Sequence, residues 1–323
     1  MLIDWFKSSW LDAVDTTMKK IATQINATWV QYTPIPEITQ LYPTPIIVKN
    51  ASNGTSDEEL IQSAHKYGLK VFLNPSPWSF QEDNSTQNHS QEWWDAFKAQ
   101  WEPIMLDYAK LAAQQNVEML EFKMWPNIDA LTNDEKDKMD TLPTKLFEKT
   151  KEVYNGAIAV QSICYDVDKP LLDVHTKSDY ITMNIWSYYP WHLGETKDDN
   201  VTQIAAIVRE KLSECKAYYD DYNLSKPVIV EQLSAASYDG DIVGLNDNAE
   251  AIDSFHKNDP AYTLDLQEQA DVYEAVLQEI SKDDWIVGNF AFTYFYWDSV
   301  AKDINIRSKP AQDIVAKWYD WMK

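Results

Sequence analysis

The stretch KPVIVEQLS, Lys226 to Ser234, decides how this chain folds. Val228, Ile229 and Val230 make an apolar, β-branched run too short for a helix and suited to a buried strand, and it ends abruptly in Glu231 and Gln232. Similar runs recur throughout: MLIDWF (1–6), ATWVQYT (27–33), LKVFLNP (69–75), VEMLEFK (117–123), GAIAVQSICY (156–165), DYITMNIW (179–186), KPVIVEQ (226–232) and WIVGNFAFTYFYW (285–297). Between them lie longer amphipathic stretches, predicted as helices over 56–67, 91–115, 142–155, 200–221, 264–281 and 309–322, with a short one within 168–176. Ser56 before Asp57, Glu58 and Glu59 is a helix start, and Gly68 marks its stop. This alternation predicts βα units on a parallel sheet. With eight strands and no composition break, the expected fold class is α/β, a single (β/α)8 TIM barrel occupying residues 1–323 as one domain. PIIVKN (45–50) is an additional strand or an extended link.

In such a barrel, function sits at the C-terminal ends of the strands, which is where Glu231 and Gln232 stand. Side chains alternate faces along a strand. If Val228 and Val230 face inward, so does Gln232, and Glu231 faces the helices unless a bulge re-aims it.

Composition narrows the function classes. The net charge is −23, from 51 acidic and 28 basic residues, which disfavours nucleic acid as a partner. Neutral or cationic ligands suit it better, although such a surplus also simply maintains solubility. The 14 Trp and 18 Tyr exceed what a core of this size needs. Most fill helix-to-strand contacts, and the remainder can stack on sugar rings. Only seven Gly are present, and neither GxGxxG nor a phosphate-binding GxxxxGK[ST] occurs. No run is long and apolar enough to span a membrane. Cys164 and Cys215 lack zinc-site spacing. A disulfide between them stays open, with two buried free thiols the commoner state at such positions. Asn-X-Ser/Thr sequons at Asn26, Asn50, Asn53, Asn84, Asn88, Asn200 and Asn223 point to an extracellular or cell-surface glycoprotein. The N-terminal MLIDWFKSSW has no signal-peptide character, so a signal peptide would already have been removed.

Three segments carry a family resemblance. AHKYGLKVFLNP (64–75), WEPIMLDYAKLAAQQNVEML (101–120) and DYITMNIWSYYP (179–190) resemble passages of the clan A barrel glycoside hydrolases, above all the β-mannanases of glycoside hydrolase family 113. The aromatic end of the last strand, Tyr294 to Trp297, and the closing SKPAQDIVAKWY are also similar. The resemblance implies a carbohydrate ligand bound at the strand C-termini, hydrolysis of a β-linked, mannan-like glycan, and no cofactor or metal. It leaves the oligomeric state open.

Retaining glycosidases need two carboxyl groups about 5–5.5 Å apart, one as acid/base and one as nucleophile. Aligned without gaps, the family's acid/base position falls on Trp125 and its nucleophile position on Gln232, neither of which is a carboxylate. Three explanations follow: Gln232 replaces a native Glu, the carboxylates lie elsewhere, or the barrel binds glycans without cleaving them. Under the second, Glu231 and Glu121 are the catalytic candidates, with Asp129, Asp239 and Asp298 as further options. Glu121, Lys123 and Trp125 share one face, so Glu121 and Lys123 are expected to form an ion pair inside the barrel. Gln232, Asn74, Trp78, Trp125, Trp186, Tyr188, Tyr189, Tyr294 and Trp297 are candidate substrate-binding residues, all at strand ends or just after them. His65, on a helix, reads as structural. The turn SYDGD (237–241) offers carboxylates that are either solvated or functional. A surface or scaffold protein, using only the sequons and acidic exterior, is the remaining reading.

Overall fold

The computed structural model describes residues 2–49, 56–76, 78–79, 89–123, 142–162, 164, 171–187, 191–243, 263–294 and 302–322, with residues 2–10, 78 and 79 described by backbone alone. In chain order the elements are α1 (Leu2–Thr23), β1 (Trp29–Tyr32), β2 (Glu37–Gln40), β3 (Ile46–Val48), α2 (Asp57–Lys66), β4 (Lys70–Leu73) and β5 (Trp78–Ser79). There follow α3 (Gln91–Gln114), β6 (Met119–Glu121), α4 (Leu142–Val153), β7 (Ala157–Gln161), α5 (Asp173–Lys177) and β8 (Tyr180–Trp186). The last are α6 (Val201–Asp221), β9 (Val228–Ser234), α7 (Leu266–Ile280), β10 (Ile286–Ala291) and α8 (Pro310–Trp321).

Seven strands form one sheet in the order β1-β4-β6-β7-β8-β9-β10, while β3, β2 and β5 form a separate small sheet. Chain order equals spatial order in the large sheet, and helices follow its strands. The fold class is therefore α/β, of the TIM-barrel type. Seven of the eight expected strands are present, six of them shorter than their runs and β9 as long as its own but two residues further on. The exception is residues 1–6, expected as a strand and found in α1. Leu2, Phe6, Trp10 and Val14 recur at four-residue spacing, which is helical, and a six-residue window was too short to reveal it. PIIVKN supplies β3, a strand of the small sheet.

The chain divides into two compact units, Met1–Met18, Thr28–Ser162 and Asp168–Ile181 in the first, Lys19–Ala27, Ile163–Val167 and Thr182–Lys323 in the second. In the first unit β1, β4, β6 and β7 pair in parallel. Its core is aromatic: Trp93, Trp94, Phe97 and Trp101 of α3 are fully buried, and Phe97 stacks between Trp93 and Trp101. These tryptophans serve packing. Ser56 and Glu59 close a reciprocal capping box at the start of α2. Gly68, at φ +75°, ends that segment in a conformation that other residues adopt only with strain. His65 lies 3.3 Å from Glu118, on the helix side of β6.

The second unit contains the parallel pair β9–β10. Arg209 of α6 anchors the end of α7, bonding the Glu279 carboxylate at 3.0 Å and Asp283 at 2.8 Å. Cys164 and Cys215, whose pairing the sequence left open, form a disulfide, 51 residues apart. Sequence separation says nothing of proximity: Cys164 follows β7, and the buried face of α6 carries Cys215 beside it.

Candidate active site

In the first unit, strand register sorts the residues into two faces. Leu73 pairs with Leu120, and Leu120 with Ile158. Phe122, on this same face, meets Phe147 of α4 with ring centroids 5.4 Å apart, so this is the helix side. Asn74, Glu121, Lys123 and Gln161 have the opposite parity and turn away from the helices. Asn74 and Glu121 are fully buried. The expected ion pair is present, with Lys123 Nζ 3.2 Å from Glu121 Oε1. The same ammonium donates to Gln161 Oε1 at 2.7 Å, and the Lys123 carbonyl accepts from Trp101 Nε1 at 2.9 Å. A buried carboxylate is thereby matched by a cation that is itself held in place.

In the second unit, β9 carries a bulge at Glu231 and Gln232, and the face taken by Val230 decides where Glu231 points. Val230 pairs with Asn289 and Leu233 with Ala291, so two residues of β9, Glu231 and Gln232, stand opposite Phe290 alone. Asn289 Oδ1 accepts from Tyr319 Oη of α8 at 3.0 Å, which makes that face, and Val230 with it, the helix side. Glu231 therefore turns inward. The condition that would have sent it outward, Val230 facing in, is not met. Glu231 is buried and Gln232 half-buried.

Trp186, the last residue of β8, is half-buried. Tyr294 is half-buried beneath the Arg307 guanidinium, 5.7 Å from its ring centre. Trp78 has a described backbone only. Trp125, Tyr188, Tyr189, Trp297, Asp129 and Asp298 lie outside the described residues.

The loop after β9 holds Asp241, from the turn already singled out, and meets Glu268 and Lys309, which sequence reasoning passed over. Asp241, in the turn SYDGD, is neither solvated nor exposed. Its Oδ2 accepts from Ala236 N at 2.8 Å and from Ser187 Oγ. Burial pushes its carboxyl up to about 6, against the opposing pull of Ser187, Ala236 and Tyr238. Glu268 of α7 accepts from Gly240 N at 2.8 Å and Ile242 N at 3.0 Å, bracketing Asp241. Burial raises it to about 7, with the charges of Asp241 and Asp265 adding to the shift. Lys309, also buried, donates to Ser237 Oγ at 2.9 Å and to Asp303 Oδ1 at 2.6 Å. The one signal for these residues was the Asp-Gly turn after a strand, which does not distinguish a buried carboxylate from a solvated one.

Asp239, Asp265 and Glu268 bring carboxylate oxygens within 4.8 Å of one another. Their charge is already met: Asp239 by Lys197 at 2.8 Å, Asp265 by the amides of Gln267 and Glu268, and Glu268 by the amides above. The cluster is thus a helix cap and loop anchor that needs no cation.

Residues 7–319 match the model of Glycoside Hydrolase Family 113. The chain belongs to glycoside hydrolase family 113. Among solved structures it resembles a GH113 β-1,4-mannanase complex, at 18% identity and TM-score 0.67 over 95% of this chain and 93% of that one. The GH113 β-mannanase AaManA of Alicyclobacillus acidocaldarius, in complex with ManMIm, shows 16% identity and TM-score 0.67 over 97% and 92%. A β-glucuronidase of Faecalibacterium prausnitzii shows 13% identity and TM-score 0.60, covering 96% of this chain and 45% of its own. At these identities the likeness is one of fold. Among curated proteins none matches. In this family 113 chain, then, the position where a gap-free alignment expects the nucleophile is Gln232, and the β9 bulge sets Glu231 beside it.

Proposed function

We propose that this family 113 chain hydrolyses a β-1,4-linked mannan or manno-oligosaccharide, with Glu231 as nucleophile and Glu121 as acid/base. The observation that carries the reading is the register of β9 on β10, which sets Val230 on the helix side and so turns Glu231 away from the helices at the end of a sheet strand. A carboxylate there can attack an anomeric carbon, whereas the Gln232 amide can only hydrogen-bond the sugar. Trp186, at the end of β8, and Tyr294, just beyond β10, are half-buried on the two strands that flank β9 and offer faces for pyranose stacking. In this scheme Glu121 gives a proton to the leaving oxygen as Glu231 attacks the anomeric carbon, then takes one from the water that cleaves the glycosyl-enzyme ester and frees Glu231. No metal or cofactor enters this scheme.

The test is release of reducing ends from β-1,4-mannohexaose by the wild-type chain and by Glu231→Gln and Glu121→Gln. Cleavage abolished by either change, with binding kept, supports the assignment. Undiminished cleavage by Glu231→Gln refutes it. A second reading, glycan binding without turnover, draws on the Glu121–Lys123 contact at 3.2 Å, which engages that carboxylate. It predicts measurable mannohexaose affinity and no cleavage on long incubation.

Localisation outside the cell belongs to the same proposal. The disulfide and the sequons both suit an oxidising, glycosylating compartment, and Asn223 is exposed. Mass spectrometry of the secreted protein, before and after glycosidase treatment, decides it.

A further inference from the structure

The end of β8 and the loop after β9 are joined twice within the second unit. One link is backbone: Ser187 N donates to Ser234 O at 2.9 Å. The other runs through a buried carboxylate, Asp241, which receives Ser187 Oγ on one side and Ala236 N on the other. Ser187 directly follows Trp186, and Ala236 lies four residues beyond Gln232. The two candidate binding elements of this unit, the indole on β8 and the bulge on β9, are therefore linked, beside that backbone bond, by one buried side chain. Among the described residues two further contacts join the segment after β8 to this loop, Gly194 N to Ile242 O at 3.1 Å and Lys197 Nζ to Asp239 Oδ2 at 2.8 Å, but both start at least seven residues beyond Ser187. Glu268 grips the backbone of residues 240 and 242 from α7. Gln269 holds the Ala235 carbonyl at 2.8 Å, and Lys309 holds Ser237. Each of these ties the loop to a helix or to the segment before one, and none reaches β8.

We propose that Asp241 is a positioning residue: without touching the ligand, it sets the distance from Trp186 to Glu231 and Gln232 and so governs how tightly a β-linked glycan seats. The glycan part rests on the function proposed above; the clasp itself does not. The burial of Asp241, its two accepted bonds and the backbone bond beside it make a closed loop of contacts. A closed loop of this kind fixes geometry more tightly than any one bond. Removing the carboxylate leaves Ser187 Oγ and Ala236 N without their shared acceptor, a loss that allows the strand ends to part. Asparagine in its place keeps an oxygen for both donors and removes only the charge.

The experiment compares wild type, Asp241→Ala, Asp241→Asn, Ser187→Ala and the double variant Ser187→Ala/Asp241→Ala, with β-1,4-mannohexaose as the probe. KM and kcat are measured, together with hydrogen exchange of the Ala236 amide. The expected pattern for Asp241→Ala is a KM raised about tenfold with kcat changed less than about threefold, because positioning affects ground state and transition state alike. Asp241→Asn stays within about threefold of wild type, and the double variant is no worse than Asp241→Ala, because both changes cut one contact. The Ala236 amide exchanges about tenfold faster in Asp241→Ala alone of the two Asp241 variants. If Asp241→Ala does not fold, Ser187→Ala carries the test with a smaller rise in KM. Equal damage from Asn and Ala, multiplicative effects in the double variant, or an unchanged KM overturns the proposal. If the wild type neither binds nor cleaves mannohexaose, the proposed function fails, and the exchange rate still decides the clasp: faster in Asp241→Ala upholds it, unchanged refutes it.

Discussion

Replacing Lys309 with Met breaks an ion pair that water does not reach. The Lys309 side chain is 0% exposed and that of Asp303 5%. Its ammonium makes three short contacts, to Ser237 Oγ and the Asp303 carbonyl at 2.9 Å and to Asp303 Oδ1 at 2.6 Å. Burial lowers the lysine's own proton affinity and Asp303 restores part of it, so the pair depends on both members. Removing one partner of a buried pair costs about 3–5 kcal/mol, because the other charge stays desolvated. Here Asp303 Oδ1 keeps the Asn305 amide at 3.1 Å, which places the cost near the lower end, about 3 kcal/mol. For a chain of 323 residues the unfolding entropy is about 0.7 kcal/mol/K, so a two-state melt shifts by roughly 4–5 °C. Urea unfolding followed by tryptophan fluorescence measures the loss directly. The paired variant Asp303→Asn/Lys309→Met removes both charges and is expected to recover at least about half of it. A loss below about 1 kcal/mol for Lys309→Met, or strict additivity in the pair, refutes the argument.

Three further outcomes follow from the same structure. Asp241 and Glu268 have folded-state values of about 6 and 7, above their unfolded ones. They therefore stabilise the fold when protonated, and that stability is lost as pH rises from about 4 to about 7. Asp15, Asp199 and Glu279 are held below their ordinary values, and the stability they contribute is lost on going below about pH 4. Melting temperature against pH should peak near pH 4–5, and a profile still rising at pH 7 would contradict this. The Cys164–Cys215 bridge closes a loop of 51 residues, so replacing both with Ser costs about 4 kcal/mol in urea unfolding. Two thiols titrating in the unreduced, unfolded protein would disprove the bridge. Trp186→Ala is expected to weaken mannohexaose binding about tenfold by calorimetry, and unchanged affinity would remove Trp186 from the site.

The fold was largely legible because its strands are short β-branched runs punctuated by capped helices. Ser56, Glu59 and Gly68 mark one helix from its first turn to its stop. MLIDWF misled because six apolar-rich residues fit either period, and only the continuation to Val14 shows the helical one. The Cys164–Cys215 bridge was not legible, since contact between residues so far apart depends on which helix covers which strand. The site was legible in part. Alternation put Glu121 and Lys123 on one face, and they do pair. For Glu231 alternation could only state a condition, because the face that Val230 takes is a property of pairing with β10 and leaves no mark in VIVEQLS. Asp241 was hidden for a related reason: a carboxylate in a turn looks solvated until the partners that bury it are known.

The bulge in β9 also changes how the chain can vary. In a regular strand, moving an acid by one position sends it to the opposite side of the sheet, so no single step leads from one working arrangement to another. With Glu231 and Gln232 sharing the place opposite Phe290, acid and amide can trade places without crossing the sheet. The exchange Glu231→Gln with Gln232→Glu would slide the negative charge by about one residue rise, roughly 3.3 Å, along the same opening. A two-residue platform of this kind makes the address of the acid negotiable while the surrounding sheet stays as it is.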